Sequence, residues 1–486
     1  MNILEIASEA APFVKTGGLG DVLGALPKAL SRRGHNVVTI IPRYESITGH
    51  KLTESTWEGQ VSVAGATHHL SHASQICRKT CHQTWLVENK TMFGRQGIYQ
   101  DIETGKDFPD NDIRFHFFAK AALECCRRND FKPDIVHIHD WQAALTAVFL
   151  RTIFKTDPFF AKAGIVLTVH NLAYQGRFPA ERYRLLELPP DLFIPTAPLE
   201  FYGTVNVLKG AITFADRITT VSPRYAEEIQ TPEFGCGLEG VLRERHGRLT
   251  GILNGADYSE WSPSRDSRIP YHYHPANLSG KTKNKVELMA FAGLPYREKT
   301  PLVGMISRLV DQKGLDIIIA AANQLMQFDL QLIVLGVGES KYHQALTLLQ
   351  KTYPDKVRAY LTFDDRLAHL IEAGSDLYLM PSQFEPCGLN QIYSLKYGTI
   401  PVVNKVGGLA DTVENVDPLT GQGTGFVMTN YSADALIEAV DRAVNLFSHR
   451  RRWITLMKQA MQKDFGWESS AEAYEKLFMT AGNKTA

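Results

Sequence analysis

Neither sign of charge predominates in this chain of 486 residues, which carries 52 Lys and Arg against 52 Asp and Glu. No basic block or tail breaks that balance, so neither nucleic acid nor an anionic membrane surface is expected as a partner. Long apolar runs are lacking as well. The opening Met1-Asn2-Ile3-Leu4-Glu5-Ile6 has no basic start or extended apolar middle, so neither a secretory leader nor a bilayer-spanning helix is expected. Cysteine is scarce, six in the whole chain, which argues against a disulfide framework and leads to the expectation of a cytoplasmic protein. Cys77, Cys81 and His82 could open a metal site, but no second ligand pair follows at zinc spacing. Ordinary packing is their expected role, and no metal or other cofactor is anticipated. Cys125 and Cys126 fall in the apolar stretch 119–126, where small buried thiols are common.

The length exceeds what one hydrophobic core usually supports, so two domains are expected. Short β-branched runs alternate with amphipathic stretches throughout, the pattern of α/β domains with doubly wound parallel sheets. In the first half, residues 2–7, 37–41, 134–137, 165–169 and 217–221 read as buried strands. Val22, Leu23, Leu26 and Leu30 recur at helical spacing before Gly34, with Pro27 expected to kink that helix. Residues 257–285, rich in Ser, Pro, His, Tyr and Asn, show no clear periodicity and read as a connection. A second series follows, with strands at 302–306, 330–335, 377–380 and 400–403 and helices at 314–325 and 389–395. The halves share a local echo: Gly17-Gly18-Leu19-Gly20-Asp21-Val22 against Gly407-Gly408-Leu409-Ala410-Asp411-Thr412. No fixed period accompanies it, so one strand-turn-helix solution used twice is the reading, rather than a tandem repeat.

Lys15-Thr16-Gly17-Gly18 is expected to turn directly out of the first strand. Two glycines let backbone amides approach a ligand, a following helix N-terminus favours negative charge, and a lysine can neutralise phosphate. The string is neither a P-loop nor a full dinucleotide fingerprint, so a plain structural turn stays open. In the second half, Ser307-Arg308 ends a strand and Asp311-Gln312-Lys313-Gly314 leads into a helix. Arg308 and Lys313 can therefore converge at the C-terminal edge of a sheet, where open α/β folds bind ligands. Each alone reads as a surface charge; with Lys15 they make three cations able to hold a diphosphate without a metal.

The most specific string is Pro381-Ser382-Gln383-Phe384-Glu385-Pro386-Cys387-Gly388-Leu389. Glu385 there is either a helix-start acid or an acceptor for sugar hydroxyls, with Gly388 and Leu389 offering amides to phosphate. His139-Asp140-Trp141 and Val169-His170-Asn171 place polar residues just past buried strands. A lone histidine at such a place is usually structural, but two such strand ends point toward one crevice.

In order along the chain, Lys15-Thr16-Gly17-Gly18-Leu19, His139-Asp140-Trp141, Thr168-Val169-His170-Asn171, Val221-Ser222-Pro223, Leu253-Asn254-Gly255, Ser307-Arg308 with Lys313-Gly314, and Phe384-Glu385-Pro386-Cys387-Gly388-Leu389 resemble the bacterial glycogen synthases and plant starch synthases. The resemblance runs from residue 1 to about residue 475. It implies the GT-B fold, two facing Rossmann-like domains with a deep interdomain cleft. Residues 1–256 would form the acceptor-side domain, 257–285 the connection, 286–466 the nucleotide-sugar domain, and 467–486 a segment whose helix, about 469–481, crosses back to the first domain.

The implied activity is retaining transfer of glucose from ADP-glucose to the non-reducing end of an α-1,4-glucan such as glycogen. Carried over by motif, the catalytic set is Lys15, Asp140, His170, Arg308, Lys313 and Glu385. Arg308 and Lys313 would hold the donor diphosphate, with Lys15 near the same charge or toward the acceptor. Glu385 would hold glucose hydroxyls, and Asp140, His170 and Asn254 would contact the transferred glucose. Gly17, Gly18, Cys387, Gly388 and Leu389 would line the donor, and Asp21 and Tyr99 would lie toward the acceptor. Phe363 falls where relatives often carry a tyrosine near the adenine. The loop Arg95-Gln96-Gly97-Ile98-Tyr99 lacks the prolines usual in relatives, and Asn390 stands in place of a common threonine. Three rivals are a UDP-glucose donor, a glucan phosphorylase, for whose pyridoxal phosphate lysine no motif is seen, and an inactive glucan-binding protein, which would have shed the charged set.

Overall fold

The computed structural model describes residues 1–77 and 80–482. The chain divides into two compact units. Unit 1 comprises Met1–Val221, Ala226–Gly255 and the C-terminal helix Trp467–Gly482; unit 2 comprises Ser222–Tyr225 and Ala256–Gly466. Residues 483–486 of the expected C-terminal segment lie outside the described residues.

Unit 1 is built, among the described residues, on a ten-stranded sheet. Seven of its strands run parallel in the order Leu249–Gly251, Arg217–Thr220, Gly164–Val169, Ile135–His139, Asn2–Ile6, Asn36–Pro42 and Gln83–Glu88. Gly164–Val169 and Ile135–His139 are buried at every position, as expected of parallel strands covered on both faces. The sheet continues through the antiparallel strand Ala66–Ile76, which pairs with Gly59–Val63 and Thr53–Glu54. Neither strand of this extension carries the apolar run that marks a buried strand in sequence. Gly59–Val63 alternates buried and exposed residues, and Ala66–Ile76 carries His68, His69, His72 and Gln75 in place of an apolar run.

Unit 2 holds an all-parallel six-stranded sheet in the order Val357–Tyr360, Gln331–Leu335, Leu302–Ile306, Leu377–Met380, Ile400–Val403 and Phe426–Val427. Helices Leu315–Leu325, Ala433–Phe447 and Arg450–Gln462 bury Leu315, Ile318, Leu436, Val440, Trp453 and Leu456 in one of its apolar clusters.

Two expectations change. Residues 279–285, read as the end of a connection, begin the helix Ser279–Ala292, whose Leu288 and Met289 pack into the core of unit 2. Its polar face hid its period, because Lys281 and Lys285 are buried and bonded to Thr399 Oγ1 and the Asp376 carboxylate. The glycine pair of the KTGG string does not follow the first strand directly either. That strand ends at Ile6, and residues 7–17 form a loop closed by a bridge between Ala10 and Val14 before the helix Gly18–Arg32 begins.

Candidate active site

In a doubly wound sheet the loops beyond the C-terminal strand ends are where side chains can gather on a ligand. In unit 1 the loop after Asn2–Ile6 is knotted by Glu9. Its two oxygens accept from the Thr16 backbone N–H (2.5 Å), the Thr16 hydroxyl (2.6 Å) and the Tyr99 hydroxyl (2.6 Å). Tyr99, expected to face the acceptor, thus has its hydroxyl engaged with Glu9 and with Ser8 Oγ at 2.6 Å. Burial, and next the Glu9 charge, drive that phenol well above its usual pKa. Lys15 is not a free cation: its ammonium lies 2.6 Å from Asp21, the residue expected on the acceptor side.

Gly17 and Gly18 are exposed, neither has a positive φ, and a Cβ on either would meet nothing within 4 Å. Packing within the protein therefore does not demand glycine there, and Gly17 occupies the N-cap of the helix Gly18–Arg32, a position glycine suits.

Asp140 follows the strand Ile135–His139 with φ of 56°, a left-handed conformation that short polar side chains tolerate. Its Oδ1 accepts the His170 backbone N–H at 2.7 Å. Burial raises its carboxyl to about 7 against the pull of the His170 and Asn171 amides. Burial also holds the His170 imidazole well below its usual value, so the ring is neutral, and its Nε2 lies 3.0 Å from His139 Nδ1. Asn254 is buried, and among the described residues its Oδ1 has no hydrogen-bond partner, an unmet acceptor of the kind a ligand satisfies.

Behind these residues runs a polar line that sequence reasoning missed: Glu5, His137 and His139, all wholly buried. The signal was present, since His137-Ile138-His139 puts a polar residue at every second position of an otherwise apolar strand. The three bring one ligand atom each within 4.8 Å, close enough to suggest a metal. The Glu5 oxygen, however, is engaged within the protein: it lies 2.8 Å from His139 Nε2 in a hydrogen bond, with His137 Nδ1 2.7 Å away. His82, named above as a candidate ligand, instead places its Nε2 3.0 Å from Thr39 Oγ1.

In unit 2, Arg308 is exposed just past Leu302–Ile306, its guanidinium 3.2 Å from Gln312 Oε1. Lys313 ends a single 3₁₀ turn, and Gly314 follows with φ of 77°, so close to the chain that a Cβ would lie 2.3 Å from Pro381 O. Lys313 Nζ and Glu385 Oε2 are 2.5 Å apart, and Ser382 Oγ donates to the same oxygen at 3.1 Å. Glu385 is therefore not a helix-start acid; the helix begins at Asn390. Gly388 has φ of 72°, and Leu389 stands immediately before that helix. Cys387 is buried.

Asn390 has a role of its own: its amide donates to Ile306 O (2.8 Å) and to the Tyr378 hydroxyl (2.7 Å), tying this helix to the strand Leu302–Ile306 that leads to Arg308. Phe363 stands apart, 85% exposed on the loop before helix Asp365–Gly374. Thus Lys15 and Asp21 meet, Asp140 and His170 meet, and Lys313 and Glu385 meet, whereas Asn254 and Phe363 hydrogen-bond or stack with no other predicted site residue among the described residues.

The loops carry paired cations, carboxylates and open glycines at the ends of parallel strands in two sheets. Comparison with known proteins gives this arrangement a family. A family model described as the starch synthase catalytic domain matches residues 2–244, and one described as glycosyl transferases group 1 matches residues 290–459. Glycogen synthase 2 of Geobacter metallireducens is 44% identical over 484 residues, and the glycogen synthase of Anaeromyxobacter dehalogenans is 45% identical over 481 residues, with 99% of each chain covered in both cases. The solved catalytic domain of starch synthase IV from Arabidopsis thaliana, bound to ADP and acarbose, matches with a TM-score of 0.91 at 32% identity over 99% of both chains. A sucrose-phosphate synthase from Thermosynechococcus elongatus, at 17% identity and a TM-score of 0.61 over 98% of both chains, shares the fold alone.

Two Rossmann-like α/β units of this kind define a glycosyltransferase of the GT-B class. Within that class, the chain belongs to the glycogen and starch synthase family and is a glucosyltransferase. Among the described residues no helix is long and apolar enough to cross a membrane.

Proposed function

We propose that the protein lengthens an α-1,4-glucan by retaining transfer of glucose from ADP-glucose to its non-reducing end, in the cytoplasm and without a cofactor. The observation that carries the reading is the Lys313–Glu385 pair, with Arg308 bonded to Gln312, the residue next to Lys313, which joins cations suited to a diphosphate with a carboxylate suited to sugar hydroxyls. The ADP held by the Arabidopsis starch synthase supports adenine as the donor base, and the acarbose bound there supports a glucan acceptor.

Retention in hydrolases normally uses a carboxylate nucleophile. Here Glu385 is committed to Lys313 and Ser382, and the half-buried Asp140 accepts the amide of His170, so we read both as binding groups. The acceptor hydroxyl attacks from the face the diphosphate leaves, and a departing phosphate oxygen takes the hydroxyl proton. Arg308 and Lys313 stabilise charge growing on that diphosphate, and Lys15 adds charge near donor or acceptor. Asp140, His170 and Asn254 orient the glucose. Gly17, Gly18, Gly388 and Leu389 offer backbone amides beside the donor, next to Cys387. Phe363 offers a ring face to the base, and Asp21 and Tyr99 lie toward the acceptor.

Removing one preorganised donor to a developing anion typically costs on the order of 10² to 10³ in rate. Arg308→Ala and Lys313→Ala are each expected to lower kcat by at least that order with an unchanged circular dichroism spectrum. The decisive assay incubates the protein with glycogen and either ADP-glucose or UDP-glucose, without added metal, and follows nucleotide release. Faster release from ADP-glucose is expected, and absence of release from both donors would refute the reading.

A further inference from the structure

The polar line beneath unit 1's strand ends fixes which ring nitrogens of His139 and His170 carry a proton. Strand alternation sends His137 and His139 to one face, and Glu5 stands opposite His137 in the neighbouring strand. Burial pushes the Glu5 carboxyl up, but His137 and His139 overcome that and hold it at about 2, so it is ionised and can only accept. His139 Nε2, 2.8 Å away, must therefore carry a proton. Burial, with the neighbouring His137, holds His139 down at about 4. Its ring is then neutral at physiological pH, and its Nδ1 is a bare acceptor.

Facing that Nδ1 at 3.0 Å is His170 Nε2, which must donate. His170 is neutral too, so its proton sits on Nε2 and its Nδ1 has none. Among the described residues, no protein group hydrogen-bonds that Nδ1. The line is sealed from solvent by the C-terminal helix, whose Tyr474 and Phe478 rings pack 5.3 and 5.2 Å from the His137 ring.

We propose that Glu5 and His139 are positioning residues that hold His170 in its Nε2–H tautomer, so that Nδ1 accepts a hydrogen bond from one hydroxyl of the transferred sugar. The inference rests on the reading of His170 as a contact to that sugar. It explains why an acid and a histidine occupy strand positions that apolar residues would otherwise fill: without a fixed acceptor behind it, His170 could equally present an N–H.

The test begins on the unmodified full-length protein labelled with ¹⁵N-histidine, with the His170 signals identified by their loss in His170→Ala. The expected spectrum shows a protonated Nε2 and an unprotonated Nδ1 on His170 at neutral pH. A protonated Nδ1, or an imidazolium, overturns the proposal. So does stoichiometric zinc or iron in the purified protein, which would make Glu5, His137 and His139 metal ligands.

The second arm measures kcat and KM with sugar nucleotides lacking single hydroxyls. One such donor should lose roughly tenfold on the native enzyme, the worth of one hydrogen bond. In His139→Phe, which removes the acceptor behind His170, kcat should fall roughly 10- to 100-fold, as for other partners that orient a histidine. The extra penalty for that one deoxy donor should disappear. His139→Asn, whose amide oxygen falls near the lost Nδ1, should restore part of both effects. A purely structural role would lower activity with every donor alike and leave the His170 nitrogens unchanged. Wild-type turnover in His170→Ala would instead defeat the sugar-contact reading itself.

Discussion

Asp140 sets binding against stability at the scale of one residue. Its folded pKa of about 7 stands above the ordinary 3.8, so the fold favours the neutral form. The cost of ionising it is absent below the unfolded value, grows as pH rises from about 4 to about 7, and is fully present above that. Three pKa steps correspond to about 4 kcal/mol as an upper bound. Asparagine tolerates the left-handed backbone and keeps an oxygen for the His170 amide. Asp140→Asn is therefore expected to raise the melting temperature at pH 8 and to match the wild type at pH 4, while glucosyl transfer at pH 8 falls at least tenfold. Calorimetry and nucleotide release at the two pH values check both halves. Glu9 shows the limit of reading single residues from sequence. Nothing about a lone glutamate after a strand reveals that it anchors Thr16 and Tyr99 together, because Tyr99 lies 90 positions along the chain from Glu9.

Among elements, the two glycine pairs share a sequence and differ in use. Gly17-Gly18 opens the helix Gly18–Arg32 with free space around it, whereas Gly407-Gly408 opens the helix Gly407–Thr412 pressed against another loop. A Cβ on Gly407 would lie 2.0 Å from Glu385 O, and one on Gly408 would lie 2.1 Å from Cys387 O. The second pair is a support that lets the Glu385 loop sit directly on a helix start. Gly408→Ala must displace that backbone, at a cost of about 1–3 kcal/mol. Its melting temperature should drop and its KM for the donor should rise. Gly18→Ala should leave the melting temperature unchanged or slightly raised, alanine being the better helix former. Its catalytic efficiency should nevertheless fall, because the methyl group fills space that we assign to the donor. Thermal melts and donor kinetics on the two variants separate ligand approach from packing; equal melting losses would refute the distinction.

At the scale of the whole molecule, unit 1 is closed by the last helix of the chain. Trp467–Gly482 returns after the 211 residues of Ala256–Gly466 to bury Tyr474, Phe478 and Ala481 in unit 1. It is tied to Arg33, which caps the C-terminal end of helix Gly18–Arg32, through Glu475 and to Arg217 through Thr480. Burial of two large aromatic side chains alone is worth roughly 3–6 kcal/mol, a large part of the stability of a domain. A chain ending at Gly466 should therefore lose the calorimetric transition of unit 1 and all transferase activity. An unshifted transition would show that the helix is dispensable.

Much of this was already determined by the order of residues. Hydrophobic periodicity is local, so the strands Leu377–Met380 and Ile400–Val403 were legible to the residue, and the ordered motifs were enough to identify the family. What periodicity could not reveal are the places where polar side chains are buried because a distant partner meets them. The helix Ser279–Ala292 hides its period behind lysines bonded to Thr399 and Asp376, and the antiparallel strand Ala66–Ile76 carries histidines where an apolar run was sought. The same reason governs the site. Sequence named Lys15, Asp140, His170, Lys313 and Glu385 as chemically able groups. Only the tertiary structure decided that Lys15 answers Asp21, that Lys313 answers Glu385, and that Glu5 and His139 stand behind His170, because a hydrogen bond depends on position in space and not on position along the chain.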